Sequence, residues 1–277
     1  MVGPSSVNLQ ESLTKPWRFR SFLPFVILTG AKQPMKRFFL YFVIGLLLAA
    51  CSAGQPDPPK TAEFYFQEGE SFLEKGLYNE AITSWEKVRD SFYSPELTML
   101  AELKMAETYY LAERYAEAAS AYNDFLKQYP GDERKSTTTY WLGMSYYKQK
   151  LAIDRDQTNT KNALTVFSDL LRLYPGERDE TEIRSLIQQC KGQLAAHEIY
   201  VGRFYLKTKK YEASIKRLEE ALRLYPSSPQ IDEAYFYLLS AYLKLENRAK
   251  AEELLQQLSA TMPNSPYVAK AEKKLKK

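Results

Sequence analysis

The sequence predicts an all-α chain: a solenoid of about five two-helix repeats, in two blocks joined by a long helix. Three observations carry that prediction. Helix formers dominate from about Thr61 onward, and no paired-strand turn signal interrupts them. A pattern of small and large residues returns about every 34 residues. Prolines stand at Pro130, Pro175, Pro226 and Pro263, each just past a helical stretch it cannot continue. The chain of 277 residues carries 38 Lys and Arg against 34 Asp and Glu, a net charge of +4. Six of the basic residues and only Glu11 among the acidic ones lie in positions 1–50. The remainder, 32 basic against 33 acidic, is almost neutral, which argues against a nucleic-acid-binding surface. Two Cys, one His and 11 Gly leave little material for a disulfide scaffold, a zinc site or a phosphate loop.

The first element is an address. Met35-Lys36-Arg37 precedes an uncharged run, Phe38–Ala50, and then Cys51. At ~1.5 Å per residue that run covers about 20 Å, short of the ~30 Å hydrocarbon core, so it suits a secretory signal better than a permanent span. Leu48-Ala49-Ala50-Cys51 resembles a bacterial lipobox, which implies cleavage before Cys51 and a covalent diacylglyceryl and N-acyl lipid on its sulfur and amine. Ser52 in place of Asp, by resemblance to enterobacterial sorting, implies the outer membrane. Residues 1–34 carry a second apolar run and read as a gene-model extension, with residues 35–50 as the signal peptide. Residues 51–60, polar and Pro-rich, read as an extended tether.

The repeats come next. Small residues Gly69, Ala106, Gly143 and Gly202 mark the first helices, and Ala81, Ala118, Ala163 and Ala251 mark the second, with Ser214 in the fourth repeat. Trp85, Tyr122, Phe167, Leu218 and Leu255 fill the seams four residues on. This is tetratricopeptide spacing, and five such units in phase predict stacked antiparallel helix pairs whose apolar faces only a neighbour can cover. The third repeat holds about eight extra residues around Leu151–Thr158, a polar loop in place of a tight turn. Asp179–Leu194 adds about four helical turns before the fourth repeat. The expected organisation is therefore an N-terminal block at 61–178, a linker helix at 179–197, and a C-terminal block with a short basic tail at 198–277.

Chemistry is sparse. His197 is expected at the start of the fourth repeat's first helix, in a capping or interface role. Cys190, beside Leu186, Ile187 and Leu194, reads as a buried free thiol. Carboxylates alternate with Lys and Arg at helical spacing, as on a solvated face, and no pair stands out as an acid and base. No catalytic, metal or cofactor residues are expected. In repeats of this kind, positions 2, 5, 9 and 12 of the first helix line the concave groove. That register places Phe66, Leu73, Leu103, Tyr110, Tyr140, Met144 and Tyr147 either along a peptide groove or against neighbouring helices.

A lipobox ahead of five repeats, with this insertion in the third, resembles the BamD (YfiO-like) family of outer-membrane assembly lipoproteins, most specifically in the stretches 153–175 (IDRDQTNTKNALTVFSDLLRLYP) and 197–226 (HEIYVGRFYLKTKKYEASIKRLEEALRLYP). The resemblance covers roughly residues 58–270. It implies a non-enzymatic scaffold, lipid-anchored on the periplasmic face of the outer membrane of a Gram-negative bacterium. It further implies three kinds of partner: a BamA-like barrel protein held through its POTRA region, other Bam lipoproteins, and the C-terminal signals of unfolded outer-membrane proteins. The partner surface is expected at the inserted loop, Asp154, Arg155 and Asp156, and at Arg203, Lys207 and Lys210, whose charges give steering and register. Ordinary solvated turns are the alternative there. The rival function is a periplasmic repeat lipoprotein that coordinates cell-wall synthesis or envelope constriction.

Overall fold

Helix ends in this chain are written by a few recurrent devices. Thr61, Ser94, Asp179, Asn247 and Ser265 each accept a hydrogen bond from a backbone N–H in the helix they open. Each of Pro130, Pro175, Pro226 and Pro263 stands two residues past a helix. The residue before it (Tyr129, Tyr174, Tyr225, Met262) has left the helical region, with ψ between 47° and 64°, as the proline ring requires. The tight turns inside four repeats also share one geometry. A single residue at positive φ (Gly76, Glu113, Lys209, Glu246) lets the following amide reach five residues back, Leu77 N to Phe72 O and Arg114 N to Tyr109 O among them.

The computed structural model describes residues 60–91 and 94–276. Eleven helices are described: α1 Ala62–Glu74, α2 Tyr78–Asp90, α3 Pro95–Leu111, α4 Tyr115–Gln128, α5 Lys135–Lys148, α6 Thr158–Leu173, α7 Glu180–Lys207, α8 Tyr211–Leu224, α9 Ile231–Lys244, α10 Arg248–Thr261 and α11 Pro266–Leu275. The expected extension, signal peptide, lipidated Cys51 and nearly all of the tether lie outside the described residues. Each helix packs on the next in chain order, and Pro58–Lys277 is one compact unit. Among the described residues no helix is long and apolar enough to cross a membrane.

The core is a row of four clusters; the first three each join one helix pair to the first helix of the next, and the last runs from α7 to α11. Ala81, Trp85 and Val88 of α2 pack under Ala101 and Met105 of α3. Ala118, Tyr122 and Phe125 of α4 meet Leu142 of α5. Ala163, Phe167 and Leu170 of α6 meet Ile183, Leu186, Ile187 and Cys190 of α7. Ile199 of α7, Leu218 of α8 and Leu238 of α9 share the last cluster with Ala271 and Leu275 of α11.

Within a pair, close approach depends on the small residues. A Cβ at Gly69 would stand 2.6 Å from the Trp85 ring, at Gly143 2.6 Å from Phe167, and at Gly202 2.6 Å from Leu218. Ser214 adds a polar contact in the fourth repeat: its hydroxyl donates to the Gly202 carbonyl at 2.7 Å.

One expectation is corrected here. The linker does not stop at residue 197. One 28-residue helix, α7, runs from Glu180 to Lys207, so its first half closes the third repeat and its second half opens the fourth. His197 therefore lies inside a helix rather than at its start. The basic tail is also a helix: α11 covers α9 and α10, and the Leu275 carbonyl accepts from Arg248 Nη2 at 2.6 Å. An array end needs such a cap, apolar beneath and charged outside.

Gly192 provides the contrast. It sits mid-helix in α7, and a Cβ there would meet only Pro229 at 4.0 Å. Gly143→Ala should lower stability by about 2 kcal/mol through overpacking, whereas Gly192→Ala should raise it by about 1 kcal/mol through helix propensity. Urea midpoints of the two variants beside the parent check both signs.

Candidate functional site

The largest cleft of interest forms where the array departs from regular stacking. The connection between α5 and α6 is long, and polar side chains hold it against α7. Gln193 Nε2 donates to the Leu151 carbonyl at 2.8 Å, and Gln157 Nε2 donates to the Ala152 and Arg155 carbonyls at 2.9 and 3.1 Å. His197 Nδ1 lies 2.7 Å from the Ile153 carbonyl. A carbonyl only accepts, so this ring nitrogen carries the proton. The loop is thus pinned from inside, by amides and one imidazole, while Asp154, Arg155 and Asp156 stay exposed.

Between that loop, α7 and the start of α9 runs a trough of about 850 Å³, bordered by Lys150, Ile153, Gln188, Gly192, Gln193 and Gln230. A smaller cleft of about 140 Å³ continues it past Ala196 to Tyr200, Arg203 and Glu233. The walls are mostly amides and short side chains, and the missing Cβ at Gly192 leaves the floor of the trough low. Such walls offer hydrogen-bond donors and acceptors to a polypeptide backbone and bring no reactive group.

The expected partner residues divide. Arg203 lines the continuation of the trough, 3.7 Å from Glu233, and its pKa is raised chiefly by a hydrogen bond to Tyr237. Asp156 is committed locally: its carboxylate accepts from the Thr158 N–H and hydroxyl at 2.9 and 3.1 Å, starting α6, and these bonds lower its pKa. Asp154 and Arg155 project from the pinned loop. Lys207 lines a different cleft, and Lys210 is the N-cap residue of α8.

The expected groove residues fare less evenly. Phe66 and Leu73 are half-buried against the first cluster, with the Phe66 ring 6.5 Å from Trp85. Leu103 and Tyr140 are core residues, 9% and 7% exposed, so at these two positions packing displaces the groove role. At Tyr140 the reason is α7. Its first turns lie over the third repeat, where the Tyr140 hydroxyl donates to Glu182 at 2.6 Å and Arg178 stacks 4.2 Å from the ring. Farther along, the Tyr147 hydroxyl donates to Gln189, while Met144 packs into the third cluster.

Tyr110 remains half-buried, edge-on to Trp141 at 4.8 Å. Trp141, which also meets Tyr140 at 5.3 Å, joins the second and third clusters. Counting repeat positions misses it, because it falls one residue past the groove register; its size was the only signal. A separate cleft of about 360 Å³ opens between α2 and α4 over Met105 and Tyr109 of α3, and none of the seven expected residues lines it.

Cys190 is fully buried, and burial pushes its pKa up to about 11, which makes it an inert packing thiol. Among the described residues no group of three or more His, Cys, Asp or Glu is placed to hold a metal ion.

Two outcomes test this geometry. Removing the imidazole with His197→Ala should speed amide exchange at Arg155 about fivefold, the equivalent of one hydrogen bond, with core amides unchanged by hydrogen-exchange mass spectrometry. Burial and then the Glu182 hydrogen bond push Tyr140 up to about 12. The fold favours the neutral phenol, so this contribution is complete below pH 10 and is lost as pH rises from 10 towards 12. Tyr140→Phe should therefore lose less stability than the parent across that window in pH-resolved thermal melts.

Comparison with known proteins gives a consistent picture. The model of the family described as YfiO, outer membrane lipoprotein, matches residues 58–258. The chain is 29% identical over 231 residues to the outer membrane protein assembly factor BamD of Rickettsia prowazekii, covering 83% of this chain and 92% of that protein. It is 27% identical to the BamD of Caulobacter vibrioides, covering 73% and 68% of the two chains, and 23% identical to that of Neisseria meningitidis serogroup B, covering 84% and 94%. Among solved structures it is similar to the TPR2AB-domain:pHSP90 complex of yeast Sti1, at 18% identity and a TM-score of 0.38, over 78% of this chain and 84% of that one. With 201 of its 277 residues inside the matched family region, its repeats in register and its insertion in the third, this chain belongs to the YfiO family of outer membrane lipoproteins, the family of the BamD assembly factors.

Proposed function

We propose that the protein is a non-catalytic, lipid-anchored scaffold of the machine that inserts β-barrel proteins into the outer membrane. Its relatives' name as assembly factors supports the role, and the trough beside the inserted loop is the observation that carries the rest. In this reading the pinned loop and the second half of α7 form one wall for the POTRA region of a BamA-like barrel subunit. Asp154, Arg155 and Arg203 set register at its rim, and the amides of the trough engage the partner's backbone. Other Bam lipoproteins share the complex.

The half-buried apolar surface at Phe66, Leu73 and Tyr110, continued by Trp141, receives the C-terminal segment of an unfolded outer-membrane protein, because its aromatic side chains add contact energy beyond their area. Cys51 carries the acyl chains that hold the chain at the periplasmic face. No step in this role makes or breaks a covalent bond.

Charge reversal provides the test. In a gentle detergent pull-down from native envelopes, Arg203→Glu combined with Arg155→Glu should reduce recovery of the POTRA-containing partner about tenfold, with the variant's melting temperature within the experimental spread of the parent. Unchanged recovery removes the assigned surface. Recovery of cell-wall enzymes in place of the barrel protein moves the scaffold to envelope constriction.

A further inference from the structure

The loop between α5 and α6 is held more firmly than a solvated turn requires. Its hub is Gln157, 4% exposed, with every hydrogen-bonding position of its amide in use. Its Nε2 donates to the Ala152 and Arg155 carbonyls, and its Oε1 accepts from Thr160 Oγ1 at 3.1 Å and from Gln193 Nε2 at 3.3 Å. Gln193 and His197, one turn apart on α7, donate to the Leu151 and Ile153 carbonyls. The carbonyls of residues 151, 152, 153 and 155 are thus all occupied from within the fold.

This framework displays apolar side chains. Residues 151–156 are all exposed, Leu151 at 48% and Ile153 at 38%. Exposed leucines also stand at tight turns, Leu77, Leu111 and Leu245 among them, and scattered singly they need no explanation. Ile153 differs in its setting. It borders both the trough and the smaller cleft that continues it, and Leu151 lies two residues before it on the same pinned segment. A surface already fixed in place loses little conformational entropy when a partner covers it.

The backbone narrows the occupant. Among the described residues, the N–H groups of Ala152, Ile153 and Asp154 meet no acceptor, while the carbonyls beside them are taken. The exposed side-chain amides of Gln188 and Gln230 at the trough's border likewise make no hydrogen bond among the described residues. An extended polypeptide matches such a lining, because its carbonyls and N–H groups are unspent along its length. A helix has used both on itself. A lipid headgroup would find one charged side chain there, Lys150.

We propose that Ile153, with Leu151 beside it, is the apolar anchor of the trough: an extended segment of the barrel partner covers Ile153 with an aliphatic side chain and offers carbonyls to the free N–H groups of residues 152–154. This anchor rests on the partner reading above. It supplies the lifetime of the complex, and the exposed charges supply approach and register.

Binding kinetics separate the two contributions. The full lipidated chain is immobilised in detergent micelles, and the full-length POTRA-containing barrel subunit is passed over it at low and high salt. Ile153→Ser should weaken binding about tenfold, the scale of burying about half of an isoleucine side chain. The loss should appear in the dissociation rate and be equal at both salt concentrations. Leu151→Ser should lose roughly threefold, and Ile153→Val should stay near the parent. Leu111→Ser, at an exposed leucine on another turn, should bind as the parent does. All four variants should keep the parent's melting temperature.

Unchanged dissociation in both Ile153→Ser and Leu151→Ser, with the parent binding, overturns the anchor and leaves the partner reading intact. A parent that does not bind the barrel subunit overturns both. An equal loss in Leu111→Ser marks nonspecific apolar adhesion, and a loss confined to the association rate at low salt marks charge steering; either overturns the anchor. In native envelopes, a photoreactive phenylalanine analogue in place of Leu151 should crosslink to one segment of the barrel subunit. A crosslink to a second copy of this chain or to lipid, or none above the same probe in place of Leu111, overturns the assigned occupant.

Discussion

Every level of this structure depends on how closely two helices of a pair can approach. At Gly69, Gly143 and Gly202 a large side chain of the second helix occupies the space where a Cβ would stand. That contact sets the helix spacing, and the spacing leaves each pair with one apolar face still open. The open face demands the next first helix, so the core becomes a row of clusters that each reach past their own pair. At the third repeat the demand is met by the first half of α7, and at the last by α11. The long helix and the terminal cap are therefore products of the same packing constraint, applied where the regular repeat runs out.

Much of this was legible because the constraint writes itself into residue size. A glycine or alanine, then a large residue, then a proline, returning at a fixed interval, marks helix, seam and stop. The fully buried Ala81, Ala118, Ala163 and Ala251 obey that pattern, as does buried Cys190. What escaped was information carried by contacts distant in sequence. Nothing local distinguishes Tyr140 as a groove residue from Tyr140 as a core residue. The difference lies in Glu182 and Arg178, about forty positions on, which fold over it. The break expected near residue 197 had a similar origin: the fourth repeat's motif is complete by itself, and only continuous helical hydrogen bonding shows that α7 carries two jobs. The role of His197 is a product of that continuity, since a residue inside a helix has no end to cap and is available to hold a loop.

The surfaces divide along comparable lines. Around most of the array, ion pairs sit three or four residues apart on exposed helix faces and contribute little individually. Their value is to keep the surface neutral, and against it the exceptions become visible. The trough beside the middle turns of α7 is such an exception, almost free of charge and rich in amides.

The continuity of α7 has a consequence for how this chain can vary in length. Each residue added to an α-helix pushes the rest of the chain ~1.5 Å along the axis and turns it by about 100°. In α7 such a change would leave the first half seated on the third repeat and swing everything from α8 onward around the helix axis. Glu233, which meets Arg203 across the trough, would then face a different side of the array. A seven-residue insertion returns the phase to within about 20° and lengthens the array by two turns. Loops elsewhere can absorb single-residue changes, but α7 admits growth only in whole-turn steps, as a screw thread does.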